Sequence, residues 1–218
     1  MKIVCTSDLH GDIESAERLA DKIGDFDLLL IAGDVTNFSS SNVARHLIGE
    51  LSESGVQSIL VVPGNCDLAE SLEHFQNTGI SLHGSGKIMD GIGFFGVGGS
   101  NETPFNTPLE FSEDEITQLL QQGYEEIKSA KVKMLLTHPP PFGALDQPSP
   151  SQNVGSKSIA KFLEKNKVDL CICGHIHEAK GEAKLGSTEI INPGPTSTGY
   201  VEIQIDKEGN TQHKFCEL

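Results

Sequence analysis

KIVCTSDLHGD, residues 2–12, is an apolar run of strand length that ends in an Asp-x-His pair, Asp8 and His10. Its plan recurs along the chain. FDLLLIAG (26–33) leads to Asp34, SILVVPG (58–64) to Asn65, KMLLTH (133–138) to His138, and DLCICGH (169–175) to His175 and His177. IGFFGVGG (92–99) is a further run of the same kind. Each is rich in Ile, Val, Leu or Phe, and continuously apolar rather than alternating. That predicts strands covered on both faces.

Helical periodicities fall between these runs. IESAERLADKIG (13–24) sets Ile13, Ala16, Leu19, Ala20 and Ile23 on one stripe and stops at a glycine. SNVARHLIGELSESG (41–55) repeats the pattern with Val43, Leu47, Ile48 and Leu51. SEDEITQLLQQGYEEIKSA (112–130) opens on Ser112 with Glu115 three residues on, a capping-box pattern. SKSIAKFLEKN (156–166) is a fourth helix. After Gly174, STEIINPG (187–194), GYVEIQID (199–206) and TQHKFCEL (211–218) read as strands of a β-meander. A βαβ-like part followed by such strands predicts an α/β fold, a sandwich of two sheets with helices outside. No break in composition or linker divides the chain, so residues 1–218 are expected to form one domain. HPPPFGALDQPSPSQNVG (138–155) is too long for a simple connection and predicts a functional loop.

The chain has 218 residues and a net charge of −15. A field of that sign repels long nucleic acids, so no polymeric nucleic-acid partner is expected. The five cysteines, Cys5, Cys66, Cys171, Cys173 and Cys216, show no framework spacing. The start, MKIVCTSDLHGD, reads as neither a signal peptide nor a membrane span, and no apolar segment reaches ~18–20 residues. A cytoplasmic protein with reduced thiols and no membrane partner is the expectation. Oligomerisation is left open by the sequence.

Asp8, His10, Asp34, Asn65, His138, His175 and His177 all follow strand-like runs. Ligands of open α/β sheets bind beyond the carboxyl ends of the strands, so these side chains are expected to converge on one edge. Asp8 with His10 and His175 with His177 are i, i+2 pairs, which point the same way on extended chain. The mixture of Asp, His and Asn suits Mn²⁺, Fe²⁺ or Zn²⁺ and lacks the thiolates of a structural zinc site. Taken singly, D-x-H is common, GD is a routine turn, and GNxD reads as a tight turn. The ordered set, each member after a strand, is not explained by turns. His46, His74, His83 and His213 lack this context.

Standing as SDLH, AGD, GNCD, THPPP and CGHIH, these motifs resemble the signature of the calcineurin-like metallophosphoesterases. PGNCD, LTHPPPFGALD, VGSKSIAKF and CGHIHEAKG with NPGP resemble the small Icc-related phosphoesterases in particular. The resemblance implies a four-layer αββα sandwich of two mixed sheets, with a dinuclear metal site at the strand ends. It implies that Asp8, His10, Asp34 and His177 hold one divalent ion, and Asp34, Asn65, His138 and His175 the other, with Asp34 shared. Mn²⁺ is the leading candidate, with Fe, Zn or Ni as alternatives. Asp34, Asn65 and His138 are the expected catalytic residues. The implied reaction is hydrolysis of a small phosphate ester, a diester before a monoester, by in-line attack of a bridging hydroxide. A non-catalytic binding scaffold on the same fold is the alternative, disfavoured because every ligand position is filled.

Cys66 departs from the family, which places a histidine there to assist the leaving group. Asn65 already fills the ligand place and water on the metals is the nucleophile, so Cys66 is expected to be neither ligand nor nucleophile. Cys5, Cys171 and Cys173 read as core filler. Ser156 is expected to cap its helix, NPGP (192–195) to be a structural turn, and Asp146 and Asn153 to be candidate substrate-loop groups.

Overall fold

The apolar runs form strands because each alternates two buried faces. A computed structural model describes residues 1–218. In chain order the strands are β1 (Lys2–Thr6), β2 (Leu28–Ala32), β3 (Ile59–Val62), β4 (Gly86–Met89), β5 (Ile92–Val97), β6 (Ser100–Asn101), β7 (Glu110–Phe111), β8 (Val132–Thr137), β9 (Leu170–Ile172), β10 (Gly181–Leu185), β11 (Thr188–Asn192), β12 (Tyr200–Ile205) and β13 (Thr211–Cys216). The helices are α1 (Ile13–Ala20), α2 (Ser41–Glu53), α3 (Ala69–Asn77), α4 (Glu113–Glu126) and α5 (Lys157–Lys165).

Two mixed sheets carry the fold. One has the order β13-β12-β1-β2-β3 and the other β10-β11-β9-β8-β5-β4. Parallel pairs occupy their centres, with antiparallel pairs at β1–β12, β12–β13, β10–β11 and β4–β5. In β2, Leu28, Leu30 and Ala32 meet Val132, Met134 and Leu136 of the other sheet in a core between the sheets. Leu29 and Ile31 point the other way, against Ala16, Leu19 and Leu47 of α1 and α2. On the outer face of the second sheet, Phe95, Leu135 and Cys171 pack against Leu120 of α4 and Phe162 of α5. The result is the expected four-layer order of helices, sheet, sheet and helices, with period-2 alternation assigning each residue its layer. Cys5, Cys171 and Cys173 are buried in these cores, as expected of small apolar filler.

Several expectations need correction. The C-terminal strands are not a meander: β11 pairs parallel with β9 in one sheet, while β12 pairs with β1 in the other. The chain crosses between the sheets through Pro193–Thr198, where Thr196 N–H donates to Ser7 O at 2.9 Å. The NPGP turn therefore seals the end of β1. α1 and α4 end earlier than periodicity predicts, at Ala20 and Glu126. α3 escapes a capping search because its N-cap, Leu68, makes no side-chain bond. β4 is signalled only by Asp90-Gly91, whose φ values of 49° and 78° suit a two-residue hairpin turn. The capping box at Ser112 and Glu115 is present, and Ser156 caps α5 by accepting from Ile159 N–H at 3.2 Å.

The loops after β2 and β3 are locked together by Asp67, which is fully buried. One carboxylate oxygen accepts from Thr36 N–H and Oγ1–H at 2.7 and 2.8 Å, the other from Gly64 N–H and Val35 N–H at 2.8 and 3.2 Å. Asp67→Asn turns an NH₂ group toward two of these donors. At ~1–3 kcal/mol per orphaned buried donor, urea unfolding should show a loss of about 2–6 kcal/mol. Wild-type stability in that variant would mean the four bonds are not what holds the loops.

Candidate metal centre

All seven candidate residues lie at the carboxyl ends of β1, β2, β3, β8 and β9, and the structure brings them together. They do not get there on extended backbone, as the i, i+2 spacing predicted. Asp8, His10, Asp34 and His175 have φ of 54°, 51°, 48° and 68°. Left-handed backbone costs non-glycine residues ~1–3 kcal/mol each and persists only where surroundings enforce it. Here the enforcing bonds are Asp8 N–H to Gly33 O at 3.0 Å, His10 N–H to Asp34 O at 2.8 Å and His175 N–H to Asp8 Oδ2 at 3.1 Å. Gly64 and Gly174 allow the loops to close: a Cβ at Gly64 would collide with Asp34, and one at Gly174 with Ser7 and Asp8.

The side chains form two groups. In the first, His10 Nε2 lies 3.2 Å from His177 Nε2. Asp8 Oδ1 is 3.4 Å from His177 Nε2 and 3.8 Å from His10 Nε2, and Asp34 Oδ2 is 3.9 Å from His10 Nε2. In the second, His138 Nε2 lies 3.0 Å from Asn65 Oδ1 and 3.5 Å from Asp34 Oδ1. His175 stands beside it, its ring centroid 5.0 Å from that of His138, whereas the His177 ring is 5.2 Å from that of His10. The two histidines of CGHIH thus face different neighbours, and Asp34 extends one oxygen to each group.

Cations fit both groups. His138 Nδ1 points at Ala32 O, 2.8 Å away; a carbonyl only accepts, so Nδ1 carries a proton. Asn65 donates its NH₂ to Thr107 Oγ1 at 3.1 Å and to Cys66 Sγ at 3.7 Å, so its carbonyl oxygen is the end that faces His138. His138 Nε2, Asn65 Oδ1 and Asp34 Oδ1 then present lone pairs to one another, an arrangement that needs a proton or a metal ion among them. In the other group Asp8 Oδ1 is buried with no hydrogen-bond partner, as is His10 Nδ1. The buried acidity reads the same way. Burial lowers the His138 imidazole, but Asp34 and Asp8 outweigh it and raise it to about 9. Burial opposes charge on Asp34, yet His138 and the Cys66 N–H hold its carboxyl well below the usual range. The His177 imidazole is raised by the Asp8 carboxylate beside it, while burial and His138 bring His175 down to about 4.

Cys66 donates its backbone N–H to Asp34 Oδ1 at 2.8 Å, and burial, then Asp34, push its thiol up. Its sulfur lies within 4.8 Å of ligand atoms of His10 and Asp34. Asp146 is not aimed at a substrate: it is buried and accepts from Gly143 N–H, Gly155 N–H and Asn153 Nδ2, stapling the proline-rich loop. Asn153 does line a cavity of about 790 Å³ that opens beside Asn65 and His175. Phe105 and Phe142 line it too, 81% and 40% exposed. Sequence reasoning passes over Thr107, Phe105 and Asp67. Thr107 and Phe105 sit in a loop with no strand-end or metal-ligand signal, and Asp67 reads only as part of a turn.

A sandwich with carboxylates and imidazoles converging at its strand ends suits a metal-dependent phosphoesterase, and the family match supports that class. Residues 1–179 match the calcineurin-like phosphoesterases, and the chain belongs to that family, whose members use divalent metal ions. An uncharacterized protein of Methanocaldococcus jannaschii is 38% identical over 206 residues, covering 90% of this chain and 89% of its own. The fold is shared with a crystal structure from Thermus thermophilus (TM-score 0.73, 22% identity, 98% of each chain). It is shared also with a dimetal phosphatase of Danio rerio (TM-score 0.69, 12% identity, 99% of this chain and 95% of that one). No helix is long and apolar enough to cross a membrane.

Adding Mn²⁺ to the metal-free protein should raise its melting temperature, because a ligand that binds only the folded state stabilises it by ~2.7 kcal/mol at a hundredfold excess over Kd. At pH 7 binding should release a proton from His138, and affinity should climb as the pH rises toward about 9. Asp34→Asn should abolish most of the thermal shift. A full shift in that variant would show that the carboxylate is not shared between the groups.

Proposed function

We propose that the chain is a phosphodiesterase for small esters, with Asp8, His10, Asp34 and His177 holding one divalent ion and Asp34, Asn65, His138 and His175 a second. The observation that carries this reading is the convergence of lone pairs on two points that share Asp34. When bound, two ions, Mn²⁺ before Fe, Zn or Ni, would supply Lewis acidity toward the phosphoryl group and would lower the pKa of a water, making it a nucleophile for in-line attack at phosphorus. The chain's own part is to fix the geometry. Ala32 O orients the His138 ring, Thr107 orients Asn65, and the Cys66 N–H orients Asp34. Asp8 and Asp34 contribute two negative charges, fewer than two divalent ions bring, so the site attracts a phosphate ester inside an acidic protein.

Cys66 bears on substrate choice. General acid catalysis is worth ~10²–10⁴-fold, and a thiol with a pKa of ~8.5 is a weaker acid than an imidazolium at ~6.5. The site therefore suits leaving groups that need little protonation: aryl or cyclic diesters and activated anhydrides. The cavity supports the same reading. Phe105 and Phe142 offer flat apolar faces, and Lys157 stands over the Phe142 ring at 5.7 Å. Its charged lining is Glu102, Glu113, Glu178 and Lys157, net negative and poor for further phosphates. We read the ester's organic part as flat and uncharged.

Metal analysis after reconstitution should find two ions per chain. Bis(4-nitrophenyl) phosphate should turn over well and glycerol phosphate poorly. Cys66→Ala should change diester turnover less than tenfold, and Cys66→His should raise alkyl monoesterase activity. Phe105→Ala should raise KM for the aryl diester severalfold with kcat nearly kept. Preference for glycerol phosphate by the wild type, or near-total loss of diesterase in Cys66→Ala with both ions retained, would overturn this assignment.

A further inference from the structure

Between β6 and β7 the chain makes a loop, residues 102–109, closed at its base by the pairing of Ser100 with Glu110. The loop folds back on the metal centre: Leu109 N–H donates to Asn65 O at 3.3 Å. Thr103, Pro104 and Phe105 line the cavity. Thr107 lies on the other side of the loop tip and receives the Asn65 amide. One carboxylate gathers both sides. Glu110 Oε1 accepts from Thr103 Oγ1 at 2.5 Å, Thr107 N–H at 2.7 Å and Thr107 Oγ1 at 2.6 Å, while Oε2 accepts from Thr103 N–H at 3.0 Å.

The direction of these bonds has a chemical consequence. An ionised carboxylate has no proton to give, so the Thr107 hydroxyl must donate to Glu110. Its lone pairs are then left for Asn65, and only the NH₂ end of the Asn65 amide can satisfy them. Glu110 thereby decides which end of Asn65 faces His138: the oxygen, which can ligate a cation, and not the nitrogen, which cannot. Burial pushes the Glu110 carboxyl up, but the donors on Thr103 and Thr107 outweigh it and bring it down to about 2. The acceptor role persists across neutral pH.

We propose that Glu110 is a positioning residue that sets the Asn65 amide through Thr107 and the cavity wall through Thr103, joining ligand geometry to substrate fit in one carboxylate. This rests on the reading of Asn65 as a metal ligand. Groups that orient metal ligands typically change affinity by ~10–100-fold when removed.

The test separates the two arms. Metal affinity is measured by titrating metal-free protein with Mn²⁺ alone, and KM with bis(4-nitrophenyl) phosphate at saturating Mn²⁺. Thr107→Val should weaken one of the two Mn²⁺ sites about 10–100-fold with KM within twofold, and Thr107→Ser, which keeps the hydroxyl, should restore it. Thr103→Val should raise KM at least threefold and leave both Mn²⁺ affinities unchanged. Glu110→Gln, whose amide cannot accept all four bonds and points a donor at a donor, should do both. Unchanged Mn²⁺ affinity in Thr107→Val, or a Glu110→Gln variant that only melts earlier, would overturn the proposal. Asn65→Ala with both Mn²⁺ affinities intact would instead overturn the ligand reading beneath it.

Discussion

A buried carboxylate with four donors on it sets the geometry on which the site depends. Asp67 holds the loops after β2 and β3 at a separation that leaves no room for a side chain on Gly64. That contact puts the Cys66 N–H on Asp34 and turns Asp34 so that its two oxygens face different groups. Without it, the strands could still pack through their apolar faces, but Asp34 would not set one oxygen toward each group. The sheets supply the edge, and Asp67 supplies the register of the candidate ligands along it.

The backbone and side chains of the site hold stored conflict. Left-handed backbone at four candidate ligands, an unpartnered Asp8 oxygen and facing lone pairs at His138 and Asn65 are each unfavourable alone. They coexist because the two sheets and three cores around them are well packed, and because Asp34 and Asp8 favour a proton on His138. This is the arrangement expected where local strain serves binding. Charges of one sign are prepared in advance, so that little reorganisation remains when an ion arrives.

Much of this was legible in the sequence, for identifiable reasons. Continuously apolar runs such as LLLIA predicted buried strands, and the ligands followed them because loops at strand ends can hold special backbone. The capping box at Ser112 was readable because its two bonds are local. What depends on distant contacts was not. Whether β11 and β12 share a sheet is decided by which edge each strand meets, not by its own residues. The spacing of Asp8 and His10 suggested a common direction on extended chain, whereas the backbone is left-handed because Gly33 and Asp34 carbonyls bind their N–H groups. Thr107 and Glu110 gave no signal, since threonine and glutamate in a loop are ordinary until the fold sets them against Asn65.

The question raised by Cys66 has an answer of the same kind. Its neighbours are fixed by side-chain chemistry: Asn65 faces His138 and Asp67 holds the loops. Residue 66 contributes through its backbone, whose N–H any residue but proline can offer to Asp34. The side chain's own contact is a weak one, from Asn65 Nδ2 at 3.7 Å, so the loop does not depend on it. On the proposed diesterase reading, a thiol would give less help to a departing alkoxide than an imidazolium does. A position whose backbone is constrained more than its side chain is where a fold could change its preferred leaving group and keep the geometry of its candidate ligands.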